Sequence, residues 1–255
     1  MSTRDDSLSG KVALVTGGRR GIGRSIALAL AQAGADVTVG DVVVDDGQLN
    51  GVVKEIRSLG RRSLAIQADT SRKTDVDHMV AKVINEFGAI DILFNCAGVG
   101  VVGPILDMKE EEWDRLIDVN LKGYYLCSQA AGLRMVERRK GNIISIASQY
   151  AFKAAQGMGV YSITKAGVVM LTRVLARELG PYGVRANAIA PGLVKTEMSR
   201  PDWADPDISA QRKAAIPLGR LSETDDLAGL ALFLASDASN YISGHTVLVD
   251  GGELA

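Results

Sequence analysis

Tyr161 and Lys165 stand four residues apart in a stretch with helical periodicity, so their side chains share one face, one turn from each other. A phenol ionises near pH ~10 and is a poor acid or base at neutrality. A neighbouring ammonium favours the phenolate and lowers that value. Tyr161 is thereby expected to exchange a proton with an alcohol or carbonyl oxygen. Of the six tyrosines, only Tyr161 is followed by a lysine at this spacing. The spacing alone is a weak signal, and its weight comes from what surrounds it.

A second chemical stretch is Thr16-Gly-Gly-Arg-Arg-Gly-Ile-Gly23, placed between an apolar run and a helical pattern. Glycines at Gly17, Gly21 and Gly23 let a backbone turn tightly and approach a pyrophosphate. The helix that follows presents unpaired N–H groups and a partial positive charge. Asp41, at the end of the next apolar run, stands near the ~20-residue offset of a carboxylate that binds ribose hydroxyls. Either feature taken singly is also met in an ordinary strand-to-helix turn or as a solvated loop acid.

These residues need a frame. Strands are predicted at Lys11–Thr16, Val37–Gly40, Ser63–Ala68, Ile90–Asn95, Asn142–Ile146, Val184–Ala190 and Thr246–Val249. Helical patterns fall at Ile22–Gly34, Gln48–Leu59, Asp75–Phe87, Glu110–Val136, Tyr161–Leu179 and Thr224–Ala235. Strand and helix alternate with short connections, which predicts an α/β fold with a parallel sheet covered on both faces. The least regular stretch, 195–217, is read as a mobile, substrate-covering segment. No linker or repeat divides residues 1–255, so one domain is expected.

Composition narrows the class. The chain has 255 residues, 47% hydrophobic and 23% charged, as in an ordinary globular protein. A net charge of −1 gives no basic footprint for nucleic acid or an anionic membrane. Two cysteines, Cys96 and Cys127, cannot form a disulfide framework and fit a reducing, cytoplasmic compartment. Residues Met1 to Gly10 are polar, and no run was expected to approach the ~20 apolar residues of a membrane span. No metal site is expected.

Several motifs in order resemble the short-chain dehydrogenase/reductase family in its compact, single-domain form, over Lys11 to Gly252. Thr16-Gly-x-x-x-Gly-x-Gly23, including Arg20 and Ile22, resembles its cofactor loop. Asp69-Thr70 resembles the pair that contacts adenine. Asn95-Cys-Ala97-Gly98 resembles the Asn-Asn-Ala-Gly motif, with Cys96 in place of the second asparagine. Asn120, Ser148 and Tyr161-x-x-x-Lys165 stand where the family has its catalytic residues, and Pro191-Gly192-Leu-Val194-Lys-Thr196 resembles its nicotinamide-side loop. The resemblance implies a Rossmann-type doubly wound sheet in the order 3-2-1-4-5-6-7. It also implies NAD(P)-dependent hydride transfer between nicotinamide and a secondary alcohol or ketone. Tyr161 is then the general acid/base, and Lys165 lowers its pKa and holds the nicotinamide ribose. Ser148 binds the substrate oxygen, and Asn120 holds a water leading from Lys165. Val194 and Thr196 meet the carboxamide.

Two features disagree about the cofactor. Asp41 suits the free ribose hydroxyl of NAD, whereas Arg19 and Arg20 suit the phosphate of NADP. NAD is preferred, because a carboxylate facing a phosphate is hard to offset. The helix from Tyr161 is apolar on more than one face, and the resemblance implies a homotetramer. Gln149, Gln156, Met158, Met198 and Trp203 are candidate pocket residues beside Ser148. The two glutamines favour a sugar, polyol or other hydroxy compound, and the apolar residues favour the alternative, a 3-oxoacyl-thioester reductase. A non-catalytic cofactor-binding regulator is the remote alternative, since such a chain often loses the acid/base residues retained here.

Overall fold

The computed structural model describes residues 7–255. The polar residues 1–6 lie outside the described residues. The strands β1 (Val12–Thr16), β2 (Asp36–Asp41), β3 (Ser63–Gln67), β4 (Ile92–Asn95), β5 (Gly141–Ile146), β6 (Val184–Pro191) and β7 (Thr246–Val249) form one sheet. Its order is β3-β2-β1-β4-β5-β6-β7, and every pairing is parallel. The helices are α1 (Gly21–Gln32), α2 (Gln48–Ser58), α3 (Lys73–Phe87), α4 (Glu110–Ile117), α5 (Gly123–Glu137), α6 (Gly159–Leu179), α7 (Arg200–Trp203), α8 (Pro206–Ala214) and α9 (Ala228–Ala235).

Strand alternation explains the two layers. Ala13 and Val15 of β1 face one apolar core with Ile26 and Leu30 of α1, while Val12 and Leu14 face another with Val76 and Met79 of α3. Burying each large aliphatic side chain is worth roughly 1.5–3 kcal/mol. Because all strands run the same way, their C-terminal ends share one edge. Thr16 is level with Gly40 on β2 and with Asn95 on β4, and Asn95 is level with Ser145 on β5. The strand order reverses between β1 and β4, where a doubly wound sheet opens a crevice.

Three elements differ from the pattern read in the sequence. The helix expected over 110–136 is broken by a π-helical turn, Asp118–Lys122, between α4 and α5. The stretch 195–217, read as irregular, contains α7 and α8, and Asp205 caps α8 by accepting from the N–H groups of Asp207 and Ile208. The segment Gly159–Tyr182, centred on α6, is long and apolar enough to cross a membrane by length and composition, contrary to the sequence expectation. One face of α6 packs on the sheet through Val168 and Val169. The other exposes Ile163, Met170 and Val174, and two apolar faces together raise the hydropathy.

Candidate active site

The glycine turn is built by close approach. A Cβ on Gly17, which has φ +65°, would lie 2.7 Å from the Ala97 backbone, and one on Gly23 would lie 2.2 Å from the Gly17 carbonyl oxygen. Thr16 ties this turn to the segment after β4, its hydroxyl accepting from the N–H groups of Cys96 (3.2 Å) and Ala97 (3.4 Å). Gly21 faces Thr196, whose methyl lies 3.4 Å from the Cβ position. No side chain caps α1, no acid occupies its first turn, and Ile22 is half-buried there. The first N–H groups of α1 therefore lack a side-chain partner at the crevice, the arrangement a helix end offers an anion.

At the C-terminal end of β2 stands Asp41. Arg19 is buried, donates to Asp41 through Nε at 3.4 Å, and forms a second ion pair with Asp46. Arg19, expected to receive a phosphate, spends its guanidinium on two carboxylates. Arg20 is exposed. Asp69 accepts from the Ser71 N–H (2.9 Å) and hydroxyl (2.6 Å), and Thr70 is buried against Gly123.

The loop after β5 and the start of α6 form the opposite wall. Ser148 is buried, its Oγ accepts from the Tyr150 N–H at 3.2 Å, and its hydroxyl lies near enough to half-buried Tyr161 to favour the phenolate. Lys165 is buried, and its Nζ donates to the Ile146 carbonyl oxygen at 2.8 Å and to the Tyr124 hydroxyl at 3.4 Å. It lies 5.6 Å from the centroid of the Tyr161 ring. Burial lowers the Lys165 pKa from 10.5 to about 8.

The expected depression of the Tyr161 pKa is corrected here. Burial raises the phenol from 10.0 to about 12, Ser148 opposes that rise through its hydrogen bond, and Tyr150 adds to it. The Lys165 ammonium is turned to Ile146 and Tyr124, so the desolvated phenol keeps its proton. Tyr124 went unnoticed in the sequence. It is fully buried, and its hydroxyl donates to the Ile146 carbonyl at 3.2 Å. Its position four residues after Asn120 was the available signal.

Asn120 lies in the π turn, where its Oδ1 accepts from the Val99 N–H (2.8 Å) and its Nδ2 donates to the Val99 carbonyl (2.9 Å). The amide clamps the loop after β4, and Gly98 lies against it. Asn95, expected at the cofactor, points into the core and donates to Ser128 (3.0 Å) and Ser145 (3.3 Å). Cys96 and Cys127 are free, and burial pushes both thiols up to about 12.

Pro191 ends β6 and is buried, and Gly192 after it packs on Asp250, where a Cβ would lie 2.8 Å from the Asp250 Cα. The Val194 side chain belongs to the core, and its backbone bridges Ser222. Trp203 was read as a pocket residue, but its indole N–H donates to the Thr196 carbonyl at 2.9 Å and so fixes the loop facing Gly21. Met198 lies against Gly100, and Met158 is half-buried just before α6. Gln149 is buried with its Oε1 near Gly192, whereas Gln156 is exposed.

The family model described as "Enoyl-(Acyl carrier protein) reductase" matches residues 17–253. The 3-oxoacyl-[acyl-carrier-protein] reductase of Staphylococcus epidermidis is 42% identical over 242 residues, 95% of this chain and 98% of that protein. The L-rhamnose 1-dehydrogenase (NAD(P)(+)) of Sphingomonas sp. (strain SKA58) is 39% identical over 246 residues, 96% of each chain. The crystal structure of a gluconate 5-dehydrogenase from Burkholderia cenocepacia J2315, in complex with NADP and tartrate, superposes with a TM-score of 0.93 at 34% identity, covering 99% of this chain and 98% of that one. The chain belongs to the short-chain dehydrogenase/reductase family. It is an NAD(P)-dependent oxidoreductase acting on CH–OH groups and their carbonyl counterparts.

Proposed function

We propose that the dinucleotide lies across the C-terminal edge of the sheet and that Tyr161 moves the proton. The carrying observation is the wall in which buried Ser148 and buried Lys165 flank half-buried Tyr161, Lys165 one helical turn on with its Nζ 5.6 Å from the Tyr161 ring centroid. The uncapped N-terminus of α1 and the turn at Gly17, Gly21 and Gly23 fit a pyrophosphate, and Asp41 fits a ribose diol. When bound, nicotinamide supplies or accepts the hydride. In reduction the Tyr161 hydroxyl gives its proton to the substrate oxygen, and in oxidation it takes that proton back. The Ser148 hydroxyl donates to the same oxygen and stabilises developing negative charge. Lys165 holds a positive charge one turn away, and the Asn120 clamp keeps the loop at Val99 in place.

NAD is proposed over NADP, since an Asp41 carboxylate at the ribose would oppose a phosphate there and Arg19, shared with Asp46, offsets its charge only in part. Apolar side chains on α5 and α6 (Tyr125, Leu133, Ile163, Met170 and Val174) are exposed and support assembly as a homotetramer. A monomer in light scattering at micromolar concentration would contradict it. Two free thiols suit the cytoplasm.

Two substrate classes have support. A sugar, polyol or other hydroxy compound is favoured by exposed Gln156 and by the rhamnose and gluconate dehydrogenases among similar proteins. A 3-oxoacyl thioester is favoured by an apolar rim and by the staphylococcal relative. In that rim Val102 lies over Gly157, Ile105 over Gly159 and Met198 against Gly100, all three largely exposed. Following a panel of polyols, sugars and 3-oxoacyl thioesters at the dihydronicotinamide absorbance, with both cofactors, separates them. Turnover with neither class sinks both.

A further inference from the structure

The Tyr150 ring stands edge-on to Tyr161, with centroids 6.3 Å apart and planes at 80°. On Tyr150 rests the Lys153 ammonium, 5.8 Å from the ring centroid. Lys153 forms an ion pair with Glu253, in the turn after β7, whose side chain is only 14% exposed. That turn is held firmly. The Asp250 carboxylate accepts from the N–H groups of Gly252 (3.0 Å) and Leu254 (3.0 Å), and Leu218 N–H donates to the Gly251 carbonyl at 3.2 Å. Gly251 and Gly252 have φ of +66° and +89° and lie against Ile216 and Pro217, where side chains would collide. The Lys153–Glu253 ion pair therefore joins the Ser148 loop to the turn after β7, and that turn is held in turn by the segment after α8.

We propose that Glu253 is a positioning residue for proton transfer: through Lys153 it holds the Tyr150 ring against Tyr161 and cancels the ammonium's charge at that wall. The proposal rests on the reading of Tyr161 as the proton donor and acceptor. Among the described residues, the other charged groups near this wall are Arg212 of α8, whose field reaches Tyr150 and Glu253 but which is paired with Asp202, and Lys165, 5.6 Å from the Tyr161 ring centroid. Asp250 is spent on the turn itself, and Ser148 is a neutral partner.

The sign of the effect follows from the charges. Glu253→Gln leaves the Lys153 ammonium uncompensated, which favours the phenolate of Tyr161. The ionisation governing alcohol oxidation then moves to lower pH. Lys153→Met leaves the Glu253 carboxylate instead, and the same ionisation moves to higher pH. A unit charge roughly 10 Å away, in a medium between protein and water, shifts an ionisation by about half a pH unit. The double variant returns to the wild-type position.

The experiment is kcat and kcat/KM for oxidation against pH in Glu253→Gln, Lys153→Met, the double variant and the reversed pair Lys153→Glu/Glu253→Lys, each with its thermal melt. Opposite shifts in the two single variants, cancelled in the double, are the expected result. The reversed pair, which keeps the two charges balanced, holds the profile near the wild-type position. Unmoved profiles, shifts of one sign in both, or a fall in melting temperature alone would overturn the proposal, since a merely structural tie gives only the last. Tyr161→Phe is measured alongside. If it retains turnover, the reading of Tyr161 fails; if it is inactive while the other profiles stay fixed, only the role of Glu253 fails.

Discussion

The Lys165 ammonium sits 2.8 Å from the Ile146 carbonyl oxygen, a buried charge whose close partners are neutral. Its pKa in the fold, about 8, is below the 10.5 of the unfolded chain. The unfolded state thus binds more protons between those values, so this group's penalty is full below pH 8 and is relieved as pH rises toward 10.5. Lys165→Met removes the penalty and leaves Tyr124 to serve the Ile146 carbonyl. We expect melting at pH 7 to rise by a few degrees, a gain of about 1–3 kcal/mol, while turnover is lost. A melting temperature that falls at pH 7 contradicts this account of the site's stored cost.

The clamp of Arg19 on Asp41 gives a cofactor prediction. Asp41→Ala removes the carboxylate that would oppose a ribose phosphate and leaves Arg19 paired with Asp46 alone, beside exposed Arg20. The ratio of kcat/KM for NADP to that for NAD is expected to rise tenfold or more, about 1.4 kcal/mol. An unchanged ratio means that Asp41 does not face the ribose.

Gly23→Ala tests the phosphate turn. The added methyl meets backbone, the Gly17 carbonyl oxygen at 2.2 Å, so no rotamer can relieve it. Cofactor affinity measured by titration should fall at least tenfold, with a destabilisation of about 1–3 kcal/mol. By contrast, Gly47→Ala has open space at its Cβ position but a φ of +73°, so it costs stability without touching cofactor affinity. Equal affinity losses in both would remove the special role of the turn.

Much of this was legible in the chain. Apolar β-branched runs such as Val12–Thr16 and the glycines that follow them carry local signals, so the sheet and the tight turn at Gly17–Gly23 are legible in the chain. The order of Ser148, Tyr161 and Lys165 placed one wall of the site. What stayed hidden depends on long-range geometry. The π turn at Asp118–Lys122 changes hydrogen-bond register without changing the apolar pattern. Gln149 and Trp203 have side chains suited to a pocket, but packing turns one toward Gly192 and the other onto the Thr196 carbonyl. The Lys153–Glu253 pair joins residues 100 apart in sequence, with no periodicity to announce it. The direction of the Tyr161 shift was missed for a related reason: spacing shows that a lysine is near, not where its ammonium points.

The central claim is that the Tyr161 hydroxyl carries the proton while the rest of the site binds and orients. Tyr161→Phe keeps the ring and its edge-on contact with Tyr150 and removes only the hydroxyl. The decisive measurement is kcat of this variant on the best substrate of the panel, together with cofactor affinity by titration. The account predicts a loss in kcat of about 10²–10⁴-fold with affinity within a factor of about three of wild type. A variant that keeps wild-type kcat would contradict it.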